Sequence, residues 1–211
     1  ELVVDLDNQA RDHRLRIAFP TDIASRTVLS QGHFAVIERP VRNPDERKEG
    51  WRQRPPRTFP FREWVAVAGR GRGLAVASRG LYEYESSVGA RGVELRLTLM
   101  RGLGVMGRAN LPARPGPASP SVPTPGAQCL GPQRFELAVI PWSPDPKSRA
   151  PFTGESDSFL YPPVAHQADP GHILVPEAIR RSRGRGALAA PLWRVEPANV
   201  RSEQRRVRKE R

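Results

Sequence analysis

A chain of 211 residues and 23.5 kDa suffices for one large domain or two small ones. Hydrophobic residues at 38 % allow a core, while 23 Pro and 18 Gly are too many for a helical bundle. No apolar run approaches the roughly 18 residues of a membrane span, Glu1-Leu2-Val3-Val4 is no signal peptide, and a lone cysteine, Cys129, excludes an intrachain disulfide framework or a cysteine zinc cluster.

In chain order, strand patterns dominate the first two thirds. Arg14–Phe19 alternates polar and apolar residues and is stopped by Pro20. His33–Glu38 is rich in β-formers and ends before Pro40. Glu63–Ala68 and Leu74–Ser78 flank the glycine-rich turn Gly69-Arg70-Gly71-Arg72-Gly73, which predicts a hairpin or bulged loop. In Gly92–Leu99 the alternation sets Val93, Leu95, Leu97 and Leu99 on one face, and Arg134–Ile140 repeats it loosely. Such strands between Gly/Pro turns, with no helical period among them, predict an all-β fold of antiparallel sheets packed as a sandwich. Two long Pro- and Arg-rich connections, 40–60 and 110–127, have the length of functional or disordered loops, or of segments lying against another domain.

From Pro141 the pattern degrades. Residues 180–211 carry ten Arg and one Lys against Glu196, Glu203 and Glu210, a net of +8, whereas residues 1–179 carry only +4 of the total +12. The expected division is therefore a sandwich over 1–179, best supported at 12–142, and a basic, disordered or frameshifted tail over 180–211. Only Lys48, Lys147 and Lys209 among the 34 basic residues are lysines, which GC-rich codon usage produces without any phosphate to bind. The tail has few aromatics for base stacking, so nucleic acid is not the expected partner.

Chemistry-bearing motifs are sparse. Gly102-Leu103-Gly104-Val105-Met106-Gly107 spells a dinucleotide fingerprint after a strand, but Pro112, Pro115 and Pro117 follow where a helix is needed, so a strand-to-loop transition is expected. His13, His33, His166 and His172 lack the spacing of a zinc site, and Cys129 reads as a small buried residue rather than a nucleophile. Glu83 and Glu85 alternate with Tyr82 and Tyr84; on a strand both carboxylates share a face roughly 7 Å apart. That separation is open to a glycosidase acid pair, to a sugar-binding aromatic–acid edge, or to a plain solvated sheet face.

Taken in order, Asp12–Thr21 (DHRLRIAFPT), Phe34–Pro40 (FAVIERP), Gly73–Glu85 (GLAVASRGLYEYE), Val93–Gly116 (VELRLTLMRGLGVMGRANLPARPG) and TPGAQCLG resemble the C-terminal β-domain of glycoside hydrolase family 38, the α-mannosidases. The bacterial branch that includes mannosylglycerate hydrolases is the most similar. The resemblance implies the super-sandwich domain of a zinc-dependent retaining α-mannosidase, whose nucleophile and zinc ligands lie in a preceding barrel. It implies a chain without catalytic or metal-binding residues, inert alone, whose partners are that missing barrel and the mannoside substrate. Glu83, Tyr84, Glu85, Arg101 and Arg114 are the expected substrate-proximal residues. The opening without an initiator methionine gives the expectation of a fragment. The ending RSEQRRVRKER, where the family continues with an apolar strand, gives that of a frameshift or truncation near Val200. No membrane partner is expected, and the cytoplasm is the expected location. The alternatives are a stand-alone carbohydrate-binding module and an arginine-rich nucleic-acid binder.

Overall fold

The computed structural model describes residues 1–44, 50, 53–111, 113–117, 119–145, 147, 148, 150–163 and, for its backbone, 194–197. Two antiparallel sheets form the body. The first orders six strands as β1 (Leu2–Asn8), β14 (Gly131–Trp142), β7 (Gly73–Arg79), β6 (Trp64–Ala68), β3 (Thr27–Gln31) and β4 (Val36–Pro40). The second orders five: β15 (Arg194–Pro197), β2 (Arg14–Pro20), β9 (Val93–Arg101), β8 (Glu83–Val88) and β5 (Thr58–Pro60). Between β9 and β14 the chain makes an excursion carrying two short ladders. These pair β10 (Val105–Met106) with β13 (Val122–Pro123), and β11 (Asn110–Leu111) with β12 (Arg114–Pro115).

The alternation expected of Val93, Leu95, Leu97 and Leu99 is what joins the sheets. All four are buried, and they pack with Ile17 and Phe19 of β2 against Val65, Val67, Val76 and Leu137 of the facing sheet. Removing this apolar area from water is the main stabilising term of the sandwich, at about 25 cal/mol per Å². One irregularity interrupts the β2–β9 ladder. Leu15 faces Met100 but Arg16 faces Thr98, so β9 bulges at Leu99.

Strand β6 reads as a continuous apolar run because both of its faces are covered. Val65 and Val67 enter the sandwich interior, whereas Trp64 and Ala66 turn the other way, beneath α1 (Thr153–Leu160) and the residues before it. The small side chains Ala66, Ala75, Ala77 and Ala138 give this third layer room to approach. Phe152 fills the space, its ring 4.8 Å from Trp64 edge-on and 5.1 Å from Trp142. Arg79 clamps the far end, its guanidinium 4.6 Å from the Phe159 ring centroid while it donates to the Phe159 carbonyl.

The all-β antiparallel sandwich is therefore the fold, with one α-helix among the described residues. Three details differ from the sequence reading. Strand β4 starts at Val36 rather than His33, because Gly32 donates its N–H to the Ala35 carbonyl and closes a turn through His33 and Phe34. Helix α1 lies where the sequence shows only a fading strand pattern. Within the expected basic tail, the backbone of β15 pairs with β2, Val195 opposite Ile17 and Glu196 opposite Arg16. The rest of 180–211 and residues 45–49 lie outside the described residues.

Phe152→Ala should lower the unfolding free energy by about 3 kcal/mol, since it empties a site lined by two tryptophans. Urea denaturation followed by tryptophan fluorescence reads both the loss and the release of Trp64. An unchanged midpoint would mean that the helical layer contributes nothing to the fold.

Candidate functional site

The outer face of the second sheet follows from its inner face, because a strand whose alternate residues are buried must send the others outward. On β8 this rule separates the residues expected to act together. Glu83 and Glu85 face outward, whereas Tyr84 is fully buried, its ring 6.0 Å from Phe59 and 6.1 Å from Phe61. The expected sugar-facing role of Tyr84 is thus corrected: it is a core aromatic with no surface to offer. Exposure falls instead to Tyr82, in the turn before the strand.

Opposite the two glutamates, β2 and β9 place Arg14, Arg16, Thr98 and Arg101. Arg16 Nη1 donates to Glu85 Oε2 at 2.8 Å, and Arg14 Nη2 to the same oxygen at 3.2 Å. Arg14 Nε donates to Thr98 Oγ1 at 3.0 Å and lies 3.4 Å from Glu83 Oε1. The Thr98 hydroxyl in turn donates to Glu83 Oε1 at 2.6 Å, and Arg101 Nη2 reaches both Glu83 oxygens, at 2.8 and 3.1 Å. Three guanidinium groups thus hold two carboxylates. Burial pushes the Glu83 carboxyl upward, but the bonds from Thr98 and Arg101 and the charges of Arg101 and Arg14 together keep it below its ordinary value. Burial holds the Arg14 guanidinium below its ordinary value, and Glu83 and Glu85 offset only part of that.

A retaining glycosidase pair needs one carboxyl kept protonated near neutrality and another left open as a nucleophile. Glu83 is shifted the wrong way for the first task, and Glu85 is occupied by two arginines. The network fastens β2, β9 and β8 edge to edge; it is not arranged for proton transfer. Arg101 is half-exposed at its margin. Arg114 sits apart on β12 and makes no hydrogen bond or ion pair with the network among the described residues.

A second constellation closes the pole of the sandwich where β1 ends, β2 begins and β9 ends. Asp12 adopts a left-handed conformation, φ 51°. Its Oδ1 accepts from the Gly104 N–H at 2.8 Å, Arg108 Nη2 at 3.0 Å and Gln128 Nε2 at 3.3 Å. The Gly104 bond is the main reason its carboxyl lies below the usual range, with burial opposing. Gln128 Oε1 accepts the Asp12 N–H at 2.8 Å, and Asn8 Nδ2 donates to the carbonyls of Gln128 and Cys129. This network gives the glycine-rich motif its structural meaning. No helix follows it: β10 lies within it and β11 comes next, and a Cβ on Gly104 would come within 2.5 Å of Gln128 Nε2. Cys129, expected to be buried, is exposed. It caps the one-turn 3-10 helix Pro125–Gln128 with φ 50°, which carries the side chain outward.

Sequence reading did not single out Arg14, Arg16, Thr98, Asp12 or Gln128. A signal for the first two existed: Arg-x-Arg on one strand and Glu-x-Glu on another of the same sheet are complementary at the strand period of two. Asp12 and Gln128 meet across 116 residues with no pattern to announce it. Among the described residues, no three His, Cys, Asp or Glu side chains are grouped to hold a metal ion, and no helix is long and apolar enough to cross a membrane.

Comparison with known proteins shows what the chain is similar to. Residues 1–105 match the family described as glycosyl hydrolases family 38 C-terminal domain. Its relatives are particular. A protein of Halalkalibacterium halodurans named "Putative mannosylglycerate hydrolase" is 29 % identical over 161 residues, which are 76 % of this chain and 16 % of that protein. The crystal structure of an alpha-mannosidase from Enterococcus faecalis V583 superposes with a TM-score of 0.57 at 27 % identity, covering 74 % of this chain and 16 % of that one. A family 38 glycosyl hydrolase structure from Enterococcus faecalis gives 0.55 at 26 % identity, with the same coverage. The chain spans about one sixth of the length of these relatives.

Two substitutions test the site. In Glu83→Gln, stability at pH 7 should fall, and the acid limb should flatten. Because the folded-state value of Glu83 lies below 4.5, the unfolded chain binds its proton at a higher pH. The stabilisation is therefore complete above about pH 5 and fades as pH falls through the lowered value. Urea midpoints between pH 7 and pH 3 read the difference, and an identical slope in E83Q and wild type would remove Glu83 from the clamp. Tyr84→Phe should be neutral or stabilising by up to about 1 kcal/mol, since its buried hydroxyl has no partner among the described residues. A loss in thermal midpoint would show instead that the hydroxyl is satisfied.

Proposed function

We propose that this chain is the C-terminal β-sandwich of a zinc-dependent retaining α-mannosidase-type hydrolase, of the mannosylglycerate-hydrolase-like bacterial branch. In this reading it buttresses a catalytic domain, flanks that domain's mannoside cleft, and is inert alone. The observation that carries the reading is the family 38 C-terminal match together with coverage of only 16 % of each relative. A domain that occupies so little of its relatives is one part of a larger machine.

The chemistry divides accordingly. Zinc belongs to the catalytic part in this reading, because the donor set here does not fit a metal: Glu83 and Glu85 are held by Arg14, Arg16 and Arg101. The nucleophile and the acid/base come from that same catalytic part, since Glu83 is shifted away from the raised value an acid needs and Glu85 is taken up by two arginines. What this chain brings is rigidity and cationic donors. Of the five residues the sequence offers, Arg101 and Arg114 are the ones we assign to the cleft side, where a guanidinium can donate to sugar hydroxyls. Glu83 and Glu85 hold Arg101 and its neighbouring strands in place.

The chain incubated with 4-nitrophenyl α-mannoside and zinc should release no nitrophenol and should bind methyl α-mannoside no tighter than about millimolar. Co-expressed with the part of the Enterococcus faecalis α-mannosidase outside the match, it should raise that part's soluble yield and mannosidase activity. Turnover by the chain alone would overturn the proposal. Micromolar mannoside affinity by the chain alone would replace it with a self-sufficient carbohydrate-binding module.

A further inference from the structure

The excursion between β9 and β14, residues 102–130, is built as an arm with a fixed base and an uncovered surface. At the base, His13 and Ala127 carbonyls accept the N–H groups of Gly102 and Leu103, and Asp12 and Gln128 lock the root as described. Farther out, the Arg54 N–H donates to the Ala113 carbonyl at 2.8 Å. Yet the arm exposes Leu103, Met106, Leu111, Val122 and Leu130, and Tyr82 is exposed in the β7–β8 turn at the same pole, each by 36–63 %. These are six of the ten exposed large apolar side chains among the described residues. Met106 and Val122 stand directly opposite each other on the β10–β13 ladder.

Composition separates this surface from an ordinary loop. Residues 102–130 contain Arg108 and Arg114 and no Asp or Glu at all. Arg108 is paired with Asp12, while Arg114 has no ion pair among the described residues. Apolar side chains with methionine and arginine present and carboxylates absent is the composition of an interface centre, and solvent-facing apolar groups concentrated in one place mark interaction sites.

We infer that this arm is the docking surface for the catalytic part of the same enzyme, received by a patch that is apolar at its centre and carboxylate-rich at its border. The inference rests on the function proposed above and names the surface that function requires. Charge complementarity selects the partner's chemistry: Arg114 finds no carboxylate on the arm, so the arm of a second copy offers it no counter-charge, whereas an acidic rim does. The greater length of the relatives supplies a partner of suitable size.

The test is affinity capture by the tagged full chain of the co-expressed Enterococcus faecalis α-mannosidase segment lying outside the match. Wild type is compared with M106D/V122D on the arm and with V88D, an equally exposed position at the opposite pole. Thermal unfolding of each variant is measured in parallel, and exposed substitutions should leave it unchanged. Wild type and V88D should capture the segment, and M106D/V122D should lose at least about ten-fold in affinity. Equal capture by all three would overturn the arm while leaving the proposed function standing. Failure of wild type itself, with the segment folded, would overturn both. Self-association of wild type that M106D/V122D abolishes would overturn the choice of partner in favour of a second copy.

Discussion

A strand has only two faces, and strand β9 uses both for different ends. Its inward residues Val93, Leu95, Leu97 and Leu99 weld the second sheet to the first. Once they are fixed inward, Glu94, Arg96 and Thr98 have nowhere to go but outward, and neighbouring strands obey the same parity. The partition of β8 into a core tyrosine and two glutamates on the outer face is a consequence of this constraint. So is the meeting of those glutamates with Arg14 and Arg16 across the sheet. Apolar burial therefore selects the register, and the register assembles the charged network.

Electrostatics then refines what burial has arranged. Isolated surface ion pairs contribute little, but here each carboxylate meets more than one donor, and Thr98 relays between Arg14 and Glu83. A linked, half-buried network is stronger than its separate pairs and costly to leave half-satisfied. It binds three strands near the bulge at Leu99, where the backbone ladder is weakest. This is why acidic residues at glycosidase-like spacing need not be catalytic: spacing alone does not report whether a carboxyl is open, and these are closed by arginine.

The sequence exposed the parts of the fold whose period is uninterrupted. β2, β6, β7, β9 and β14 lie where alternation or apolar runs indicate, and the Gly69–Gly73 turn joins β6 to β7 as expected. β1 escaped because it alternates half-buried with exposed residues and has little apolar contrast, and β3 because it is only five residues long. Helix α1 is harder still. Thr153–Leu160 contains Gly154, two acidic residues and two serines, and its stability comes from Phe152 and Phe159 docking on an alanine-lined sheet. Such docking depends on residues far away in sequence. The site divides in the same way. Glu83 and Glu85 were legible because they alternate; Tyr84 was misread because alternation was not carried through to its inward face. Asp12 and Gln128 were invisible because a loop-to-loop contact has no period.

Each apolar surface of the sandwich must be covered by something, and among the described residues one stands out as uncovered. The interior is closed by the two sheets on each other. The outer face of the first sheet is closed by the α1 layer, with Trp64, Trp142 and Phe152 interlocked. The outer face of the second sheet needs no cover, because its residues are charged and mutually neutralised. What remains is the pole bearing the arm, rigid at its root and apolar at its surface. A flexible loop could fold such side chains back onto the body. In this one Asp12, Asn8 and Gln128 hold the root, and the apolar side chains stand away from the body. Rigidity with uncovered apolar surface is costly in water unless a partner recovers it. The same hydrogen bonds that make the arm a poor solitary structure make it a preorganised one for docking.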